Sequence, residues 1–365
     1  MKIAISAISK NEAQFVERFM ASCKDADYVL IADTGSTDDT VSIAKGLGAA
    51  VHEISISPWR FDKARDAALF LLPKDIDIVV SLDLDEILED GWRAEIERVW
   101  TPDTTRLRYK FDWSNGIVFY SEKIFSRHGY HWHHPVHEYI RPDGRINEVY
   151  ANTDMQLVTH LPDNTKSRSQ YMPLLELAVK EDPYCPRNAF YYARELTFYS
   201  QWHQAINALE KYLAMPEAIW VNDRAYAMRL LGQSYAATDN DFEAIKWHRL
   251  ATIELPTARE PWVDLAMHCY KKSMWQECFY AAQMALGITD KQLVYTMDPK
   301  AWSELPFDLA SIAAWNLGFK DLAIEYCQKA IEFNPSDTRL IANLNNMAGP
   351  IIRNDLENVT PAEAI

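Results

Sequence analysis

The period of the apolar residues changes once along the chain, near residue 165, and this change limits the fold more than any other feature. Before it, short apolar runs of period two alternate with helical segments. Strands are expected at 2–8 ("KIAISAI"), 28–33 ("YVLIAD"), 50–55 and 77–83 ("DIVVSLD"), and helices at 11–23, 36–48 and 60–72. Ser36 or Thr37 is the expected cap of the second helix and Gly48 lies near its end. Strands and helices alternating at this spacing build a parallel α/β sheet, whose ligands sit beyond the carboxyl ends of the strands. The runs "RLRYKFDW", "IVFYSEKIFS", "PVHEYIR" and "MQLVTHL" read as strands added to it. The first domain is expected to span 1–165.

After this point the strand pattern stops, and four helical pairs begin near residues 188, 224, 261 and 306. Their second helices align on Ala205, Ala244, Cys278 and Ala323, at spacings of 39, 34 and 45. These spacings scatter around the 34-residue period of tetratricopeptide repeats. "ALEKYLAMP" and "AIEFNP" resemble that family's closing pattern, and the resemblance covers about residues 183–347. It implies an all-α stack of helical hairpins at 166–365, with a curved surface for peptides, other partners or a second copy of the chain. Trp202, Trp220, Trp247, Trp262, Trp275, Trp302 and Trp315 fall there and suit core packing, an acceptor groove or a dimer surface. The polar tail 354–365 is expected to fray.

Composition narrows the class. Hydrophobic residues are 48% of the chain, enough for real cores, yet no apolar run reaches 18 residues and the N-terminus turns polar after Ile8. A soluble, cytoplasmic protein without a membrane span is expected. The net charge of -15 is spread over both halves, which argues against broad nucleic-acid binding and suits divalent cations. The five cysteines are scattered with no CxxC, so free thiols are expected. The sequence contains no GxxxxGK[ST], GxSxG or HExxH, and no GxGxxG follows the first strand.

The expected strand ends carry the chemistry. They read "SKNE" (9–12), "DTGSTDDT" (33–40) and "LDLDE" (82–86), with "WRFDKARDAA" (59–68) after the third strand. In a parallel sheet these ends share one edge, which gathers Glu12, Asp33, Asp38, Arg65, Asp83 and Asp85. Clustered acids are unfavourable unless a cation offsets them. If the chain is extended at 83–85, Asp83 and Asp85 face the same side and offer hard oxygens to Mn²⁺ or Mg²⁺.

In order and spacing, "KNE", "DTGSTDDT", "WRFDKARDAAL" and "VSLDLDEIL" resemble glycosyltransferase family 2, most closely over residues 1–92. In particular they resemble the branch whose catalytic domain precedes tetratricopeptide repeats. The resemblance implies a GT-A fold, a Rossmann-like sheet that binds a nucleotide-sugar. It places Asp33 on the nucleobase, Glu12 near ribose or base, and Arg65, from the family's "ARN", toward the diphosphate or the acids. Here Asp66 replaces the Asn of that motif, which puts a contact at position 66 in doubt. Asp83 and Asp85 match the DxD motif, with Asp83 favouring ribose and Asp85 the metal, and His160 in "LVTHLPD" is a third metal ligand. "PVHE" resembles a segment near the acceptor, which makes Glu138 the candidate general base, with His137 as its rival. On an alternating strand these two face opposite sides unless it is bulged. The histidines at 128, 131, 133, 134 and 137 do not match a common zinc spacing. Trp113 and Trp132 suit sugar stacking or the core.

The expected function is metal-dependent, inverting hexosyl or pentosyl transfer from a nucleoside-diphosphate sugar. The acceptor is a peptide, protein or glycan positioned by the repeats, with a modified nucleic-acid base less favoured. The rivals are a repeat-based scaffold with a degenerate first domain and a nucleotidyltransferase.

Overall fold

The computed structural model describes residues 1–163 and 168–348. The chain divides into two compact units, residues 1–196 with 293–295, and residues 197–292 with 296–365. The expected boundary between 165 and 166 and the polar tail lie outside the described residues.

In the first unit β1 (Ile3–Ser9), α1 (Ala13–Ser22), β2 (Tyr28–Asp33), α2 (Thr40–Gly46), β3 (Ala50–Glu53), α3 (Phe61–Leu71) and β4 (Ile78–Ser81) alternate as expected. β1 pairs in parallel with β2 and β4, and β2 with β3. Ile3, Ile5, Ala7, Ile78 and Val80 pack with Phe15, Val16 and Phe19 on one face of the sheet. Ala4, Ile8 and Val79 pack with Ala64, Ala68 and Leu69 on the other. The pleat sends successive side chains to opposite faces, and both faces are covered, so these strands read as continuous apolar runs. Burying a side chain such as Phe19 stabilises by about 1.5–3 kcal/mol.

β5 (Glu86–Leu88), α4 (Trp92–Val99), β6 (Arg106–Asp112), β7 (Val118–Ser126), β8 (Tyr130–His133), β9 (Tyr139–Pro142) and β10 (Tyr150–His160) complete the β structure. The sheet order is β3-β2-β1-β4-β7-β6-β10-β5, with β8 and β9 as a separate ribbon. β7 is antiparallel to both β4 and β6, and β5 to β10, so the sheet is mixed. Only residues 82–85 link β4 to β5, although three strands lie between them in the sheet. A flat sheet would separate them by about 19 Å, at or beyond the roughly 18 Å reach of five extended steps. The sheet therefore curls, and Lys123 of β7 meets Glu86 of β5 at 3.0 Å.

Three local expectations are corrected. Residues 36–39 form a loop, and α2 starts at Thr40 with Asp39, not Ser36 or Thr37, at its N-cap. Asp83 and Asp85 are not extended: the Glu86 amide donates to the Asp83 carbonyl at 3.0 Å, closing a turn. Within "PVHEYIR" only 139–141 is strand, and His137 is left-handed at φ 49°, so alternation does not govern His137 and Glu138.

Helices α5 (Tyr171–Glu181) and α6 (Pro186–Phe198) follow β10. The first unit runs to Leu196, within α6. The second unit holds α7 (Trp202–Leu213), α8 (Val221–Ala237), α9 (Asp241–Glu254), α10 (Arg259–Lys271), α11 (Trp275–Gly287), α12 (Leu305–Asn316), α13 (Lys320–Phe333) and α14 (Thr338–Ala348). Asp239, Ser273 and Gly318 supply one left-handed residue to each of the turns α8–α9, α10–α11 and α12–α13. The aligned Ala205, Ala244, Cys278 and Ala323 are each 0% exposed: small residues let paired helices approach closely. Of the seven tryptophans only Trp262 is buried, and Trp275 and Trp302 pack against the cluster it belongs to. All five cysteines are free.

Candidate active site

The loops after β1 and β2 are sewn together. Asp33 accepts from Ser9 Oγ at 2.9 Å, from Ser36 Oγ at 2.5 Å, and from the Gly35 and Ser36 amides at 3.0 and 2.8 Å. Burial works against its charge, but these donors outweigh it and hold the carboxyl below the usual range. Asn11 Oδ1 accepts from the Thr37 amide at 2.7 Å, and the buried Glu12 donates its amide to Thr40 Oγ1 at 2.8 Å. Asp38 accepts from the Ala13 amide at 3.2 Å. Asp33 and Asp38 thus shape this edge.

Arg65, on α3, organises a second cluster. Its Nε donates to Glu138 Oε1 at 2.5 Å and its Nη2 to Asp83 Oδ1 at 2.6 Å. The guanidinium is buried and lies 5.1 Å from the centre of the Trp132 ring. Burial opposes its charge, but Asp83 and Glu138 outweigh that and raise its pKa. Nη1 is buried and has no hydrogen-bond partner among the described residues. Asp66 Oδ1 accepts the Trp132 amide at 2.7 Å, so the residue that departs from the family motif anchors the ring beneath Arg65. Trp132 belongs to the core, whereas Trp113 is 46% exposed and packs against His160 at 4.4 Å between ring centres.

Sequence reasoning gave no role to Lys123 or Glu86. Lys123 Nζ lies 3.0 Å from Glu86 Oε1 and 3.6 Å from Asp83 Oδ2. Glu86 Oε2 accepts the Asp83 amide at 3.0 Å. Burial lowers the Lys123 pKa, but Glu86 and then Asp83 outweigh it and keep the ammonium charged. Glu86 is buried, which pushes its carboxyl upward. The signal in the sequence was the lysine of "KIF", Lys123, set directly before the buried Ile124 and Phe125 of β7.

Asp85 is buried across the turn from Asp83 and meets His160, with Oδ2 to Nε2 at 3.6 Å. Burial lowers the imidazole pKa, but Asp85 outweighs it and raises it. This carboxylate–imidazole pair suits Mn²⁺ or Mg²⁺ as two ligands. Asp83 is directed to Arg65 and Lys123, so the expected trio of Asp83, Asp85 and His160 is not drawn together. Among the described residues no group of three His, Cys, Asp or Glu is arranged to hold a metal. The structure thus joins Arg65, Asp83 and Glu138, pairs Asp85 with His160, and sets Glu12 and Asp33 in the sewn loops.

No protein-family profile matches the chain. A 100-residue stretch is 36% identical to an uncharacterized glycosyltransferase of Rickettsia bellii (strain RML369-C), covering 27% of this chain and 33% of that protein. The chain spans about a third of the length of the curated relatives it matches. YrrB, a TPR protein with an unusual peptide-binding site, aligns with 48% of this chain and 81% of its own, at 14% identity and a TM-score of 0.37. Glucosyl-3-phosphoglycerate synthase from Mycobacterium tuberculosis, solved with Mn²⁺, uridine diphosphate and glucosyl-3-phosphoglycerate, aligns with 30% of this chain and 44% of its own, at 23% identity and a TM-score of 0.26. At those TM-scores neither neighbour adds to the fold seen directly. No helix among the described residues is long and apolar enough to cross a membrane. The N-terminal region of about 100 residues is homologous to proteins named as glycosyltransferases.

Proposed function

We propose that the chain is a metal-dependent, inverting glycosyltransferase. It moves a hexosyl or pentosyl group from a nucleoside-diphosphate sugar to a hydroxyl of a peptide, protein or glycan. The observation that carries this reading is Arg65, a buried guanidinium that holds Asp83 and Glu138 together and whose Nη1 has no hydrogen-bond partner among the described residues. A buried, unsatisfied guanidinium donor is unfavourable, and an anion is the partner that completes it most strongly.

The nucleoside lies on the sewn loops, whose shape Asp33 fixes, with Glu12 and Asp83 at the ribose. Arg65 turns Nη1 to the diphosphate. Glu138 accepts the proton of the acceptor hydroxyl as its oxygen bonds to the anomeric carbon, and the bond from that carbon to the diphosphate breaks. The charge left on the diphosphate is met by Arg65. Asp85 and His160 would hold Mn²⁺ or Mg²⁺, which supplies further stabilisation of that charge. The helical unit positions the acceptor.

The test is a panel of nucleoside-diphosphate sugars, each with and without Mn²⁺, read by thermal midpoint and by release of nucleoside diphosphate. One donor that stabilises the full chain only with Mn²⁺ and is slowly hydrolysed supports the reading. Folded protein that answers to no donor overturns it and leaves the scaffold. Glu138→Gln is expected to keep donor binding and lose transfer.

A further inference from the structure

Next to Glu138 lies a group of side chains that the transfer chemistry does not use. The His137 ring stacks on Tyr191, at 4.2 Å and 17°, and on Tyr171, at 5.7 Å and 17°. Three guanidiniums surround these rings. Arg194 and Arg187 lie 4.6 and 4.8 Å from the Tyr191 ring, and Arg168 lies 4.9 Å from that of Tyr171. Arg187 also fixes the backbone, donating Nε and Nη2 to the His137 carbonyl at 3.3 and 3.1 Å. Arg168 pairs with the buried Glu195 at 2.7 Å while half of its side chain faces solvent.

Two observations point to a ligand. First, His137 Nε2 is buried without a hydrogen-bond partner among the described residues. An unsatisfied buried nitrogen is unfavourable, and a bound group removes the penalty. Second, the charges bearing on His137 are those of Arg194, Arg187 and Arg168. Burial and these three cations push its pKa well down, so the ring is neutral. Such a gathering of guanidiniums is out of keeping with a chain of net charge -15. Guanidiniums match the planar and tetrahedral oxyanions with paired N–H donors, and stacking on tyrosine pre-orders them.

We propose that His137, Arg187 and Arg194, with Arg168 at the rim, form an acceptor subsite for an oxyanion, so that the acceptor is a phosphorylated or carboxylated molecule rather than a neutral glycan. The word acceptor rests on the transferase reading; the oxyanion site does not. Glu138, adjacent in the chain, then stands beside the hydroxyl of a molecule anchored by its charge.

The experiment uses the full chain, with the donor site saturated by Mn²⁺ and the nucleoside diphosphate of the donor selected above, or by UDP if none is selected. Inorganic phosphate and acetate are titrated separately at constant ionic strength. The expected result is binding of at least one anion, and the stronger names the group. Arg187→Gln and Arg194→Gln are each expected to weaken it about tenfold or more, with nucleoside-diphosphate affinity unchanged. Arg194→Lys, which keeps the charge and loses the fork, is expected to fall between, and it serves if the Gln variants do not fold. No binding of either anion, or variants that bind as the parent does, overturns the proposal. Anion binding that depends on Arg187 and Arg194, in a protein that binds no nucleoside diphosphate, keeps the oxyanion site and removes the transferase reading.

Discussion

Arg65 and Glu138 come from segments 73 residues apart and meet at 2.5 Å, so the ribbon that carries Glu138 is pinned to the helix that carries Arg65. The same guanidinium holds Asp83 at 2.6 Å. Arg65→Met is expected to abolish transfer and to destabilise the first unit by about 3 kcal/mol, the low end for a broken buried pair because Asp83 is 36% exposed. Denaturant unfolding measures the loss, and a change below about 1 kcal/mol would show that the pairing is not structural.

Lys123 and Glu86 are expected to behave as a coupled unit. Lys123→Met leaves the 1%-exposed Glu86 without its cation and is expected to cost about 3 kcal/mol, again at the low end because Lys123 is 27% exposed. Adding Glu86→Leu should recover much of that loss. A double-mutant cycle with zero coupling would separate the two residues energetically.

For the metal pair, Asp85→Ala and His160→Ala are each expected to weaken Mn²⁺ binding by at least about tenfold while far-ultraviolet circular dichroism stays unchanged. Mn²⁺ electron paramagnetic resonance counts the free ion directly. Unaltered affinity in both variants would place the ion elsewhere.

The two units each contain a histidine that burial holds down to about 4, His134 in the first and His248 in the second. The unfolded chain takes up these protons near pH 6.5 and the folded one does not. Stability is therefore full above pH 6.5 and falls as pH drops toward 4, by roughly 3 kcal/mol per histidine. Unfolding at pH 7.5 and 5.0 should show the loss, and His248→Leu should shrink it in the second unit. An equal pH dependence in that variant would mean that His248 is not the group responsible.

Gly232, in α8, has the His248 ring where a Cβ would go, the nearest ring atom at 2.6 Å. Alanine normally gains about 1 kcal/mol over glycine in a helix. Here Gly232→Ala is expected to destabilise instead, by about 1–3 kcal/mol from overpacking. A thermal midpoint above that of the parent would show that the ring can move aside.

The alternation of strands and helices, the change at the helical half and the four helical pairs were legible because each rests on a local period. The gathering of Arg65 with Asp83 was legible for the same reason: parallel strands put their ends on one edge. What escaped was long-range. Nothing near "KIF" announces that Lys123 will meet Glu86, because the meeting depends on the curl of the sheet. The turn at Asp83 also escaped, since an apolar run followed by "DLD" reads as a strand that continues. His137 and Glu138 were given opposite faces by a strand rule that a left-handed residue sets aside.

The link at 82–85 makes residue number, as well as residue identity, a determinant of the site. Asp83 is answered from β7 by Lys123, and Asp85 from β10 by His160. These strands come to the same place because the link is too short to let the sheet open. The linker works as a drawstring: lengthening it by a few glycines would keep every acid and every cation, yet let the two halves of the cluster drift apart.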